Sequence, residues 1–189
     1  MSIASELQAY VEKHFTTRDV FLSCAGIEAG FLDELTAAGA LPGPIYRIWA
    51  NGTVWSPIGG QIGTASVLEP VSEWFSVAAL WWARRSRLLV QLRCGNAADA
   101  ASELKASFRA DFMDALRADR NARFGYPDLF EGGALVTDRC AAVVEDEWAD
   151  WINGGYGVCL RRFDAAHLVL RRAKLRVSSC SPTMDPRCS

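Results

Sequence analysis

Between Trp148 and Cys159 the chain reads Trp-Ala-Asp-Trp-Ile-Asn-Gly-Gly-Tyr-Gly-Val-Cys, the densest run of residues able to do chemistry. Trp148 and Trp151 are three positions apart and share one face of a helix. Gly154, Gly155 and Gly157 let the backbone that follows turn sharply. The segment supports two readings. It is either a helix-to-strand corner anchored by two indoles, or one wall of a small-molecule pocket bordered by Trp148, Trp151, Tyr156 and Cys159. A reacting thiol at Cys159 would need a lowered pKa and a histidine base. His167 is the only local partner for it, and His14 reads as packing or capping near the end of a first helix.

Other catalytic or metal chemistries find little support. Cysteines stand at 24, 94, 140, 159, 180 and 188 with no Cys-x-x-Cys pair, so neither a zinc site nor a disulfide framework is expected. Cys24 and Cys140 fall on apolar helix faces and read as core residues. Glu145, Asp146, Glu147 and Asp150 resemble a metal cluster only superficially. The Glu-x-x-His pair of di-iron bundles is missing, and such a run on an amphipathic helix reads as a solvated face. Gly59-Gly60-Gln61-Ile62-Gly63-Thr64 lacks the Lys-Ser or Lys-Thr of a phosphate-binding loop. The dinucleotide fingerprint, the Gly-x-Ser-x-Gly elbow and the His-Glu-x-x-His helix are absent as well. No catalytic residue, metal or cofactor is therefore assigned, and whether the protein is an enzyme stays open.

Charge and composition narrow the setting. The formal net charge is −2, so no global field draws the chain to nucleic acid or membrane. Half the residues are hydrophobic, yet no apolar run approaches the roughly 20 residues that span a bilayer. The first residues lack the basic-then-apolar pattern of a signal peptide, and a cytoplasmic protein is expected. Charge is unevenly spread: residues 160–189 hold seven cations against Asp164 and Asp185, on an acidic body. That basic end would reach for nucleic acid, dock on the acidic body or stay solvated. Residues 178–189 have the composition of a disordered tail.

The elements that must position these residues begin with a helix over 2–14. Thr16 with Asp19 predicts the start of a second helix, Gly26 a tight turn, and Glu28 to Ala38 a third helix stopped by Gly39 and Pro42. Ile45–Trp49 and Thr53–Trp55 predict a hairpin around Asn51-Gly52, a dipeptide suited to two positive φ angles. Two short helices and a hairpin form a winged helix-turn-helix shape. Arg18 and Arg47 face Asp19, Glu28, Asp33 and Glu34 in charge count, and the second helix offers no Arg, Lys, Asn or Gln for base edges. DNA binding is disfavoured on that ground.

Downstream, residues 71–82 predict a helix apolar around most of its circumference, with Arg84, Arg85 and Arg87 at its C-terminal end. Leu88 to Leu92 either extends it or forms a strand. Asn96 caps a long helix with Ala97, Ala101, Leu104, Phe108, Phe112 and Leu116 on one stripe. A last helix carries Val136, Cys140, Val143, Val144, Trp148 and Trp151, and ends at Gly154-Gly155. The expected fold is mainly α: a winged helix-turn-helix-like module with a small β-hairpin at 1–57, packed on a helical domain at 58–155. A short strand and a basic, flexible tail would fill 156–189. Trp74, Trp81, Phe108, Phe112, Trp148 and Trp151 are the expected core.

Two resemblances add to this reading. Residues 16–55 resemble the N-terminal winged helix of MerR-type regulators, in which a Thr-start helix leads through Gly26 to a second helix closing before Leu41-Pro42. The acidic second helix departs from that pattern. Over roughly residues 7–162 the chain resembles a bacterial family of unknown function labelled natural-product biosynthesis protein. Tyr10 to His14-Phe15-Thr16, Gly39-Ala40-Leu41-Pro42 to Tyr46, and Trp148 to Cys159 carry that likeness; after Arg162 the chain departs from it. The resemblance implies a cytoplasmic accessory or binding protein of secondary-metabolite biosynthesis, with a small molecule or a pathway protein as partner. A MerR-like regulator and a small enzyme with a Trp/Tyr/Cys-lined pocket are the alternatives.

Overall fold

Thr17, extended at φ −65° and ψ 159°, is where the first well-capped helix begins. Its hydroxyl accepts from the Val20 amide at 3.5 Å, and α2 (Arg18–Ala25) follows. The sequence placed that start at Thr16, but Thr16 belongs with Thr17 to a short strand, β1 (Thr16–Thr17). The computed structural model describes residues 3–64, 68–160 and 164–179. Ahead of β1 lies α1 (Ile3–His14), and after α2 comes α3 (Ala29–Ala37). Gly26 takes φ +64° and closes α2 by donating to the Leu22 and Ser23 carbonyls.

Arg84 and Arg87 complete that helix end. Arg84 donates to the Cys24 carbonyl at 3.1 Å, and Arg87 to the Gly26 carbonyl at 2.7 Å and the Ala25 carbonyl at 3.3 Å. They cap α2, so their charges meet the C-terminal dipole of a different helix from the one the sequence suggested. Cys24, expected in the core, is exposed at this end.

The hairpin forms, but by another turn. β2 (Tyr46–Ile48) and β3 (Val54–Ser56) pair antiparallel. Only Gly52 adopts positive φ, at +80°. Gly52 donates to the Trp49 carbonyl and Trp49 to the Thr53 carbonyl, each at 2.9 Å, which is a three-residue loop with a bulge. Asn51 uses its side chain instead, accepting the Thr53 amide at 3.0 Å. β4 (Gly60–Ile62) then returns along β3, so the glycine-rich stretch is a hairpin edge.

Val71 to Trp82 is not one helix. Residues Ser72–Phe75 form β5, which lies between β1 and β2 and completes a sheet of order β1-β5-β2-β3-β4. Helix α4 starts only at Ala79 and runs to Leu89, and a π turn over Val90–Cys94 extends it. The apolar run was divided between two periodicities: Trp74 and Phe75 cover the sheet, while Trp82 faces inward from α4. Its neighbour Trp81, about 100° round the helix, is 56% exposed, contrary to the core assignment.

The remaining elements are α5 (Ala97–Ala118), α6 (Ala122–Gly125), a hairpin of β6 (Phe130–Glu131) and β7 (Ala134–Leu135), α7 (Cys140–Ile152) and α8 (Ala165–Ser179). Asn96 does cap α5, accepting the Asp99 amide at 2.9 Å. Val136 precedes α7 in an extended conformation. Among the described residues beyond α7 no strand forms: Gly155–Val158 is a 3-10 turn, and much of the basic stretch is helical in α8. Cys180, Cys188 and most of the expected disordered tail lie outside the described residues. The fold is mainly helical with a small antiparallel sheet.

Two compact units divide the chain at other places than 57 and 155. One comprises Met1–Ala106 and Asp146–Phe163, the other Ser107–Glu145 and Asp164–Ser189. In the first unit Phe21 stacks on Phe75 with centroids 4.8 Å apart, and Trp82 sits 5.3 Å from Trp151 and 6.2 Å from Trp148. The Trp82 indole donates to the Ala40 carbonyl at 2.9 Å, so its polar atom is satisfied inside the core. In the second unit Phe108, Phe112 and Tyr126 are buried together, and Arg172 lies 4.7 Å over the Tyr126 ring. Gly125 lets α6 approach α8, since a Cβ there would come within 2.9 Å of the Ala173 nitrogen.

Candidate functional site

Gly154 and Gly157 explain why the segment after α7 folds where it does. Gly154 takes φ +83°, and a Cβ on it would lie 2.8 Å from the Gly43 carbonyl oxygen. A Cβ on Gly157 would lie 1.9 Å from Ile45 Cδ1. The Gly43 amide donates to the Ile152 carbonyl at 2.8 Å. The corner is thereby seated against 43–45, at the entrance to the sheet.

That seating brings Gly155, Tyr156 and Cys159 beside the β3–β4 hairpin. Trp55, Pro57 and Ile58 from the hairpin, Asp150 and Asn153 from the end of α7, and Gly155, Tyr156 and Cys159 from the corner line a recess of about 430 Å³. Trp55 is held from the sheet side by Arg47, whose guanidinium carbon lies 5.0 Å from the ring centroid. Cys159 is half-buried, its sulfur 3.7 Å from the Tyr156 carbonyl oxygen.

The four residues singled out by sequence have different positions. Tyr156 and Cys159 line the recess. Trp151 is fully buried and Trp148 nearly so, and neither lines it. Trp151 stands behind Tyr156, ring centroids 6.4 Å apart, and supports the recess wall from within the core. Asp150 and Asn153 lie within the run singled out but were not assigned to the pocket, and Trp55, Pro57 and Ile58 from the hairpin were not identified from sequence. Their meeting is a long-range event with no local signal, although the paired glycines 154 and 157 did mark the corner.

Glu147 departs from the expected solvated face. Glu145, Asp146 and Asp150 are exposed, but Glu147 is 2% exposed and accepts a hydrogen bond from the Tyr156 hydroxyl. A buried carboxylate needs such partners, so this bond fixes the Tyr156 ring at the recess edge. Among the described residues no group of three or more His, Cys, Asp and Glu is placed to hold a metal ion. His167, the sequence's candidate base, begins α8: its amide donates to Asp164 Oδ1 at 2.8 Å, and its ring Nδ1 lies 2.7 Å from Asp164 Oδ2.

A wider crease of about 660 Å³ opens beside β5, lined by Thr17, Arg18, Asp19, Asp33, Glu69 and neighbours to Glu73. Three of its charges, Arg18, Asp33 and Glu73, are tied together. Arg18 reaches Asp33 at 2.6 Å and Glu73 at 2.9 Å, and Arg47 reaches Glu73 at 3.0 Å. Burial pulls the Arg18 pKa down, but the two carboxylates outweigh it and hold the guanidinium above its ordinary range. The crease is an ion-pair network, whereas the smaller recess combines aromatic walls with polar groups that face outward.

Residues 104–175 match a family of unknown function (DUF6058). The matched stretch includes Asp150, Asn153, Gly155, Tyr156 and Cys159 of the recess, and excludes the hairpin that supplies Trp55, Pro57 and Ile58. No curated protein and no solved structure matches the chain. Among the described residues no helix is long and apolar enough to cross a membrane.

Proposed function

We propose that this is a cytoplasmic, small-molecule-binding accessory protein of a bacterial natural-product pathway, holding its ligand in the recess between the β3–β4 hairpin and the corner after α7. The recess is the observation that carries the reading. Its volume of about 430 Å³ suits a small organic ligand. Trp55 and Tyr156 offer aromatic walls, Pro57 and Ile58 add apolar surface, and Asp150 and Asn153 supply orienting polar groups. The pathway setting comes from the resemblance carried by residues 7–162, and its chemistry is left unspecified.

For the alternative, a MerR-like regulator, the charge pattern around α2, α3 and the hairpin speaks against DNA. Arg18 and Arg47 are both tied to Glu73, and Glu28, Asp33 and Glu34 are exposed on or beside α3. Phosphates would meet carboxylates there. The enzyme alternative rests on Tyr156, Glu147 and Cys159 alone.

Calorimetric titration of the purified chain with pathway intermediates, alongside a gel shift with its upstream DNA, separates these readings. Saturable one-to-one binding that is lost in Trp55→Ala is the expected result. Tight, salt-sensitive binding to one DNA site would overturn it in favour of a regulator, and conversion of the ligand by the protein alone would make it an enzyme.

A further inference from the structure

The recess beside the β3–β4 hairpin has a sign as well as a size. Among the described residues that line it, Asp150 is the acidic one, and none is Lys, Arg or His. Asp150 is exposed, and no described cation is paired with it. Arg47, which packs on Trp55 from the sheet side, is itself met by Glu73 at 3.0 Å.

The end of α7 adds to the same sign. Asp150 and Asn153 place the C-terminal end of that helix at the recess wall. The carbonyls of a helix C-terminus amount to about half a negative charge, which Lys, Arg or His in the last turn commonly offsets. The last turn of α7 has no basic residue and carries Asp150 instead. A carboxylate and a helix C-terminus therefore stand at one wall with no basic side chain among the described lining residues.

The rest of the lining suits a carbon skeleton. Trp55 and Tyr156 are aromatic, and Pro57 and Ile58 extend the apolar surface, Ile58 being 67% exposed. Aromatic faces attract cations through the ring quadrupole, and apolar area favours a ligand with hydrocarbon to cover. An inorganic cation fits less well, because calcium and magnesium take about six or more oxygens. Among the described residues no group of His, Cys, Asp and Glu is placed to hold one.

On the reading that the recess is the ligand site, we infer that it takes an organic amine. The ammonium group lies at Asp150 and the end of α7, where the Asn153 side-chain carbonyl can accept a further N–H. The apolar or aromatic body covers Trp55, Tyr156 and Ile58. A carboxylate or phosphate ligand of the same shape would face Asp150 with no cation opposite.

Three probes with one skeleton and different charge test this on the full chain: phenylpropylamine, phenylpropanol and phenylpropanoate. Binding is read at neutral pH and low salt from the tryptophan indole N–H signals in NMR titrations. The amine should bind about tenfold more tightly than the propanoate, and about 300 mM salt should narrow that gap. Asp150→Asn should weaken the amine about three- to fivefold, the scale of an exposed ion pair, and leave the alcohol unchanged. Its thermal melting should not fall below the parent's, since it removes a negative charge from a helix C-terminus. Asp146→Asn, which removes an exposed carboxylate of α7 outside the recess lining, should leave amine affinity unchanged. No amine binding at about 10 mM, equal affinity of the three probes, preference for the propanoate or an unaltered amine affinity in Asp150→Asn would each overturn the inference. If Asn153→Trp still blocks the probes in such a case, the recess stands as a site for ligands of another chemistry. Probe binding that Asn153→Trp leaves unchanged would remove the recess as the site, and the inference with it.

Discussion

Glu147 shows how a single side chain can leave its sequence neighbourhood. It stands in an acidic run whose other members are exposed, yet it is buried beneath the Tyr156 hydroxyl. Tyr156→Phe removes one hydrogen bond from a buried carboxylate, a loss of about 1–3 kcal/mol. The urea midpoint should fall with little change in slope, and an unaltered midpoint would mean that the bond contributes nothing net. Glu147→Gln keeps an acceptor for the hydroxyl and should cost less. Cys140 offers a pH-dependent counterpart. Burial pushes its thiol above the ordinary 9.0, with Arg117 partly opposing. A raised folded-state pKa favours the protonated form, so its contribution is complete below the unfolded value and is lost as pH rises through the folded one. Melting temperature should therefore decline above about pH 9, and less steeply in Cys140→Ala. A thiol reagent at neutral pH should label exposed Cys24 before Cys140.

At the scale of elements, the corner after α7 is a fit between two glycines and the 43–45 segment. Gly157→Ala would place a methyl 1.9 Å from Ile45 Cδ1 and should destabilise by about 1–3 kcal/mol through overpacking. Adding Ile45→Val should return part of that loss in a double-mutant cycle measured by thermal melting, and strict additivity would deny the contact. Local signals of this sort were legible: Asn96 as a cap, the long stripe of α5, Gly26 as a helix end, and the glycine corner itself. Longer-range events were not. The short stretch at 72–75, Ser-Glu-Trp-Phe, fits strand and helix alike until β1 and β2 pair with it, and that pairing joins residues far apart in the chain. Trp81 and Trp82 share one residue type and opposite fates, because burial depends on which face of α4 meets a neighbour. The recess was half legible for the same reason: Tyr156 and Cys159 announced themselves locally, whereas Trp55 reaches them only through the folded hairpin.

For the whole molecule, the match at 104–175 covers most of the second unit's described residues together with the corner. The first unit adds the hairpin side of the recess. The central claim is that the recess holds a small molecule, and a variant that fills it without entering the core tests this most directly. Asn153 is exposed at the rim, so Asn153→Trp should occupy the recess and leave thermal melting within about 1 kcal/mol of the parent. Calorimetric titration of parent and variant with the best-binding pathway intermediate is the decisive measurement. The account expects saturable binding to the parent and a loss of at least about tenfold in affinity for Asn153→Trp, equal to about 1.4 kcal/mol. Equal affinity in the two proteins, at equal stability, would contradict it.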